Sequence, residues 1–171
     1  GGTGSLGSLI SCWLAQECNS ALLLCGRSGR SAAGNSQTAK ALQRLFRDSA
    51  STSLVRANTS LKEEEAMHGG ASPSGRVLVE RLLHAGGILQ DATVPNQTSQ
   101  GLRMVAAPKL STVSAASLAT ACSPLEQMVL FSSIASLLGS PGQANYSATN
   151  AQLDAYAQLW QQQGCCGSSL Q

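Results

Sequence analysis

The chain has 171 residues, 43% of them hydrophobic and 12% charged, enough apolar content for one folded domain with a sizeable core and too much for a disordered segment. Eleven basic and nine acidic residues leave a net charge of +2, spread along the chain without a basic stripe or an acidic tail, which argues against nucleic acid as a partner. No apolar run is as long as a membrane span, and no cationic stretch precedes the first apolar run as in a signal peptide, so a soluble, non-membrane protein is expected.

Taken in chain order, "SLGSLISCWLAQEC" (5–18) sets Leu6, Leu9, Ile10, Trp13 and Leu14 at helical spacing and leads into "ALLLC" (21–25), a continuous apolar run of buried-strand type. A Gly/Ser-rich loop (26–36) follows, then a helix over 37–48 with Leu42, Leu45 and Phe46 on one face, and a short strand near 53–57. The acidic "LKEEEAMHGGASPSG" reads as a solvated helix ending in a loop that holds His68, and "RLLHAGGIL" as a strand running into a glycine turn. The pattern then predicts a helix over 101–121 despite Pro108, a strand at "QMVLFSS" (127–133) and a helix over 145–163. Strands alternating with helices define an α/β fold with a parallel sheet covered on both faces. The chain opens on "GGTGSLG" without a preceding strand and stops at "GCCGSSLQ", where the alternation calls for another. A single domain over 1–171 is therefore expected, lacking its first strand and its C-terminal strands.

Six cysteines (Cys12, Cys18, Cys25, Cys122, Cys165 and Cys166) fall mostly in apolar segments, so reduced thiols and a cytoplasmic setting are expected. Cys165 and Cys166 lack partners at metal-ligand spacing, and no metal is assigned. The triplets at Asn58, Asn96 and Asn145 match the glycosylation pattern, but arise easily by chance in a Ser/Asn-rich chain.

"GGTGSLG" contains Gly2-x-Gly4-x-x-Gly7 immediately before the first helix. In such a turn the glycines allow a tight bend, close approach of a dinucleotide pyrophosphate and close helix packing, with the phosphates at the positive end of the helix. Alone, the pattern reads equally as a structural loop. The next strand ends in "CGRSGR", and Arg27 and Arg30 at that edge suit a ribose 2′-phosphate rather than a 2′-hydroxyl, which favours NADPH over NADH. The competing reading of Arg27 is a solvated loop arginine.

Hydride reduction of a ketone develops negative charge on oxygen, and needs a proton donor, a second hydrogen-bond donor and a cation that tunes the acid. Ser133 ends a strand and Tyr146 begins the next helix, so both face the carboxyl edge of the sheet, where ligands bind in open α/β folds. Ser132 and Ser136 are alternatives to Ser133, which is preferred on spacing. Tyr156 reads as core or helix surface, and His84 as a packed, hydrogen-bonded histidine rather than a base.

The serine-to-tyrosine spacing with the glycine turn resembles the short-chain dehydrogenase/reductase family, whose usual pattern has a lysine four residues after the tyrosine. Here that residue is Asn150, and no lysine follows Lys109. "GGTGSLG", "HAGGILQD", "APKLS" and "FSSIASLLGSPGQANYSATNAQLDA" resemble, in order, segments of the branch with this swap, the ketoreductase domains of modular polyketide synthases and fatty acid synthases. The resemblance is weakest from about 28 to 76.

The resemblance implies a Rossmann-type doubly wound parallel sheet and NADPH-dependent reduction of a β-ketoacyl thioester carried on the phosphopantetheine arm of an acyl carrier protein. The other synthase domains of the same polypeptide would be partners. Tyr146 would give the proton, Ser133 would bind the same oxygen, Lys109 would touch the nicotinamide ribose and stabilise the tyrosinate, and Asn150 would hold the relay. Gly2, Thr3, Gly4, Ser5, Leu6 and Gly7 would line the pyrophosphate and Arg27 the 2′-phosphate, while Ala85 and Gly86 would line the nicotinamide ribose. Asn58 falls where the family usually has an aspartate near the adenine. Asp91 and Gln143 would face the substrate. Leu89-Gln90-Asp91, Leu138 in place of a tryptophan, and "PGQANY" lean toward the stereochemical type marked by Leu-Asp-Asp. Two other readings are a free-standing reductase of a soluble ketone, against which Asn150 argues, and a non-catalytic ketoreductase half. Such halves typically lack the glycine turn and the tyrosine, both present here.

Overall fold

The structure, a computed structural model, describes residues 1–18, 21–26, 37–48, 52–56, 80–120 and 125–171. Arg27, Arg30, Asn58, His68, Cys122 and the acidic helix expected in 61–75 lie outside them. Two units divide the chain, Gly1–Asn58 and Thr59–Gln171.

In the first unit α1 (Ser5–Cys18), β1 (Leu22–Gly26), α2 (Gln37–Asp48) and β2 (Thr52–Arg56) follow one another. The strands pair in parallel, with Leu22 opposite Thr52 and Gly26 opposite Arg56, so the chain must cross over between them, and α2 lies on that crossover. Leu24, Leu42 and Leu45 are buried together, with Cys12, Ala15, Leu22 and Phe46 against them. The apolar face read for α2 is the one that is used. For α1 the outcome differs: Leu6, Leu9 and Trp13 are exposed, whereas Gly7, Ser8 and Ser11 are buried. The reason is steric, because only small residues let the helix start come this close to the glycine turn. A Cβ on Gly7 would strike the Gly1 carbonyl oxygen and lie 2.8 Å from Gly2 Cα.

The second unit contains β3 (Arg81–His84), a 3-10 turn at Val94–Asn96, α3 (Ser99–Thr120), β4 (Gln127–Phe131), the one-turn helix α4 (Ala135–Leu138), α5 (Ala144–Gln162) and β5 (Gly167–Leu170). Its sheet runs β3-β4-β5, all parallel, with His84 opposite Leu130 and Phe131 opposite Leu170. The carboxyl ends of the strands therefore share one edge. Val113, Met128, Leu130, Leu153 and Ala157 form the core, and Leu82, Leu110, Leu125, Tyr156 and Trp160 pack around it. Pro108 lies inside α3, where it removes one backbone donor.

Three features depart from the sequence reading. β4 ends at Phe131, leaving Ser132 and Ser133 beyond the strand. α4 was not foreseen; at four residues it carries no periodicity, and it starts where Ser133 Oγ accepts the Ala135 N–H at 3.2 Å. Finally, the strand thought to be missing after "GCCGSSLQ" begins inside it. Only Leu170 of β5 is apolar, but the Met128 N–H donates to the Cys166 carbonyl at 2.8 Å and the Ser132 N–H to the Leu170 carbonyl at 2.7 Å. Gly167 lets the strand pass beneath α5, since a Cβ there would lie 3.0 Å from the Ala157 carbonyl oxygen.

Candidate active site

Lys109 stands mid-way along α3 and is only 3% exposed. Where a lone lysine usually runs along the surface to water, this one reaches across to the end of β4, and its Nζ donates to the Phe131 carbonyl at 2.8 Å. The loop after β3 lies against its stem, for a Cβ on Gly87 would be 3.4 Å from Lys109 Cε. Burial lowers the pKa of the ammonium from 10.5 to about 8, and the attraction of Asp154 opposes that shift. Of its three protons one is spent on Phe131.

His84, at the end of β3, is 4% exposed, and its pKa is lowered to about 3, chiefly by burial and further by Lys109. It is therefore neutral near pH 7. It is packed as expected, and its Nε2 has no hydrogen-bond partner among the described residues.

Tyr146 lies in the first turn of α5, where the helix dipole favours negative charge on a side chain. The Lys109 Nζ is 6.0 Å from its ring centroid. One turn on, Asn150 is fully buried; its Nδ2 donates to the Tyr146 carbonyl at 2.9 Å, while its Oδ1 has no partner among the described residues. The three serines also separate. Ser132 Oγ donates to the Asn150 carbonyl at 3.2 Å, and Ser136 Oγ lies 2.7 Å from Asp154 Oδ2. Ser133 Oγ accepts the Ala135 N–H, which leaves its own proton without an acceptor among the described residues. Of the three, Ser133 is the one free to donate.

The two residues expected to face the substrate meet each other. Gln143 Nε2 donates to the Asp91 carboxylate at 3.2 and 3.3 Å. Beside this pair the Ala92 N–H donates to the Gly142 carbonyl at 2.8 Å, with Gly142 at φ 74°, a conformation that favours glycine. Asn145 completes the junction. It is 3% exposed, its Nδ2 donates to the Gln90 carbonyl at 2.8 Å, and its Oδ1 accepts the Tyr146 N–H at 2.7 Å. The sequence marked Asn145 only as a chance glycosylation triplet; buried and bonded at both ends, it instead ties the 90–92 loop to the start of α5.

In the first unit the glycine turn is pinned to β1, where the Gly2 N–H donates to the Cys25 carbonyl at 3.0 Å. Gly4 accepts the Ser8 N–H at 2.8 Å, and Ser5 and Leu6 remain exposed at the start of α1. A Cβ on Gly26 would lie 2.7 Å from Thr3 Oγ1, so Thr3 packs on the end of β1. Ala85 and Gly86 follow β3 directly and are half-buried. Gly7→Ala should displace the first turn of α1 and lower stability by about 1–3 kcal/mol, the usual cost of overpacking. Thermal unfolding of the full-length protein checks this, and an unchanged Tm would refute the close approach of the helix to the turn.

Asp154 carries no signal in the sequence that marks it as part of the site. It lies one turn beyond Asn150 on α5 and opposes the effect of burial on Lys109.

Known proteins share this construction. A solved structure described as A-type ketoreductases from a modular polyketide synthase matches with a TM-score of 0.81 and 30% identity, over 98% of this chain and 35% of that one. The fold is thus of the short-chain dehydrogenase/reductase type, an oxidoreductase class that uses a nicotinamide cofactor. The KR domain family model matches residues 1–171, and the chain belongs to that family, the ketoreductase domains of polyketide synthases. Polyketide synthase GfsA of Streptomyces halstedii is 35% identical over 163 residues, and erythronolide synthase EryA3 of Saccharopolyspora erythraea 31% identical over 174. The matches cover 93% and 99% of this chain, but only 2% and 5% of those synthases. Each unit by itself fits such a cofactor: the first has a glycine turn that admits no side chain at Gly7, and the second a buried ammonium with protons left to donate and an Asn150 Oδ1 without a partner among the described residues.

Proposed function

We propose that the chain, as one domain, carries out NADPH-dependent reduction of a β-ketoacyl thioester to the β-hydroxyacyl thioester. The observation that carries this reading is the buried Lys109 ammonium held 6.0 Å from the ring of Tyr146 at the start of α5. The nicotinamide, when bound, supplies the hydride. Tyr146 gives its proton to the carbonyl oxygen as charge develops there, and the Lys109 ammonium stabilises the negative charge left on the tyrosine oxygen. Ser133 donates a hydrogen bond to the same oxygen. Asn150 fixes the first turn of α5 through the Tyr146 carbonyl. Lys109, Ala85 and Gly86 take the nicotinamide ribose, residues 2–7 the pyrophosphate and Arg27 the 2′-phosphate, with Asn58 near the adenine. Asp91 and Gln143, already paired, border the ketoacyl chain.

The polyketide synthases among the relatives support a substrate delivered on an acyl carrier protein, with the other synthase domains as partners. A cytoplasmic setting is part of the proposal; among the described residues no helix is long and apolar enough to cross a membrane. The reading is tested by steady-state kinetics of the full-length protein on a β-ketoacyl pantetheine thioester. NADPH should exceed NADH in kcat/KM by about tenfold or more, the scale of one charged contact to the 2′-phosphate. Equal use of both cofactors would remove the NADPH assignment, and use of neither would remove the enzymatic one.

A further inference from the structure

Asp154 has no part in the chemistry above, yet several parts of the second unit converge on its carboxylate. Tyr146, Asn150 and Asp154 follow one another at four-residue intervals on α5, and so form one stripe. The Ser136 hydroxyl lies 2.7 Å from Asp154 Oδ2 and 2.8 Å from the Ser133 carbonyl oxygen. It has one proton, drawn most strongly by the charged oxygen, while the Ser136 N–H donates to the Ser133 carbonyl at 2.9 Å, so Ser136 links the Ser133 main chain to α5. Gln171 Nε2 donates to Asp154 Oδ2 at 3.2 Å. Oδ1 is buried without a hydrogen bond of good geometry. Burial pushes the carboxyl pKa up, but the bonds from Ser136 and Gln171 and the nearby hydroxyls of Ser132 and Ser169 outweigh it and leave Asp154 below the usual carboxylate value. The site thus holds a charged acid that a purely apolar packing role would not need.

We propose that Asp154 is a positioning residue for ketone reduction: its carboxylate fixes the Ser133 turn through Ser136 and is the counter-charge of buried Lys109. This rests on the function proposed above. Among the described residues, the titratable groups that act on Lys109 are Asp154 and Tyr146 from α5 and the neutral His84 from β3. Asp154 is the one anion among them, and it favours the charged ammonium. A structural role alone would change stability; this role also changes how activity depends on pH.

The experiment compares Asp154→Asn, Ser136→Ala and Tyr146→Phe in the full-length protein. Asp154→Asn should lower kcat about tenfold, keep NADPH affinity within about twofold by fluorescence titration, and move the alkaline limb of the rate profile down by about one pH unit. Ser136→Ala should lower kcat a few-fold, roughly threefold, and leave that limb in place, and the two losses should combine to less than their product. Wild-type kcat and pH profile in Asp154→Asn would overturn the proposal, as would a loss of kcat that follows thermal stability with the limb unmoved. Should Asp154→Asn fail to fold, Ser136→Ala and Asp154→Glu decide: the proposal stands if the Glu variant keeps the alkaline limb while Ser136→Ala loses kcat, and falls otherwise. Full activity in Tyr146→Phe would instead overturn the underlying function, and this inference with it.

Discussion

Tyr146→Phe is expected to lower kcat for ketone reduction by about 10²–10⁴-fold, the usual contribution of a positioned acid. The substitution removes a single oxygen. The ring keeps its place beside Lys109, the Asn150 bond goes to the main-chain carbonyl rather than the side chain, and Asn145 holds the Tyr146 N–H. The local frame therefore stays intact, and NADPH affinity should remain within about twofold, so that the loss falls on kcat. Single-turnover rates with saturating NADPH check this.

Lys109→Met is expected to move activity and stability in opposite directions. Methionine fills the channel beside Gly87 without a charge, so kcat/KM should drop by about 10²-fold or more as the tyrosine loses its cation. Burying the ammonium is costly: the gap between 10.5 and about 8 corresponds to about 3 kcal/mol. Loss of the bond to the Phe131 carbonyl offsets about 1 kcal/mol of the relief. The variant should be more stable at pH 7 by about 2 kcal/mol, seen as a rise in Tm of several degrees. Because the folded pKa lies below the ordinary one, the unfolded chain holds the extra proton between them. Wild-type stability therefore gains as pH rises from about 8 to 10.5, and the Met variant should lack that gain. Lower stability at pH 7 in the variant would contradict the burial argument.

What could be read from the sequence was local. The apolar triplet of α2, the alternation that sets a parallel sheet, and the placement of Tyr146 and Asn150 one turn apart each depend on residues close in the chain, and each is present. What could not be read depends on contacts between distant residues. Ser136 and Asp154 are 18 positions apart and Gln143 and Asp91 are 52, so no window of sequence signals them. α1 misled for a different reason: its periodic Leu6, Leu9 and Trp13 suggested a buried face, but the helix seats on Gly7, Ser8 and Ser11. Lys109 could be placed only through the resemblance of "APKLS" to a family segment. Its burial among polar neighbours, next to a proline within a helix, has no sequence signature.

The most direct measurement of the central claim is transfer of the label from NADPH deuterated at the reactive nicotinamide C4 to a β-ketoacyl pantetheine thioester, with the full-length protein as catalyst. The account predicts a β-hydroxyacyl product carrying one deuterium at C3, formed by the wild type and almost absent with Tyr146→Phe. NADPH left unconsumed by the wild type, or a labelled product formed as fast by the Phe variant, would contradict it.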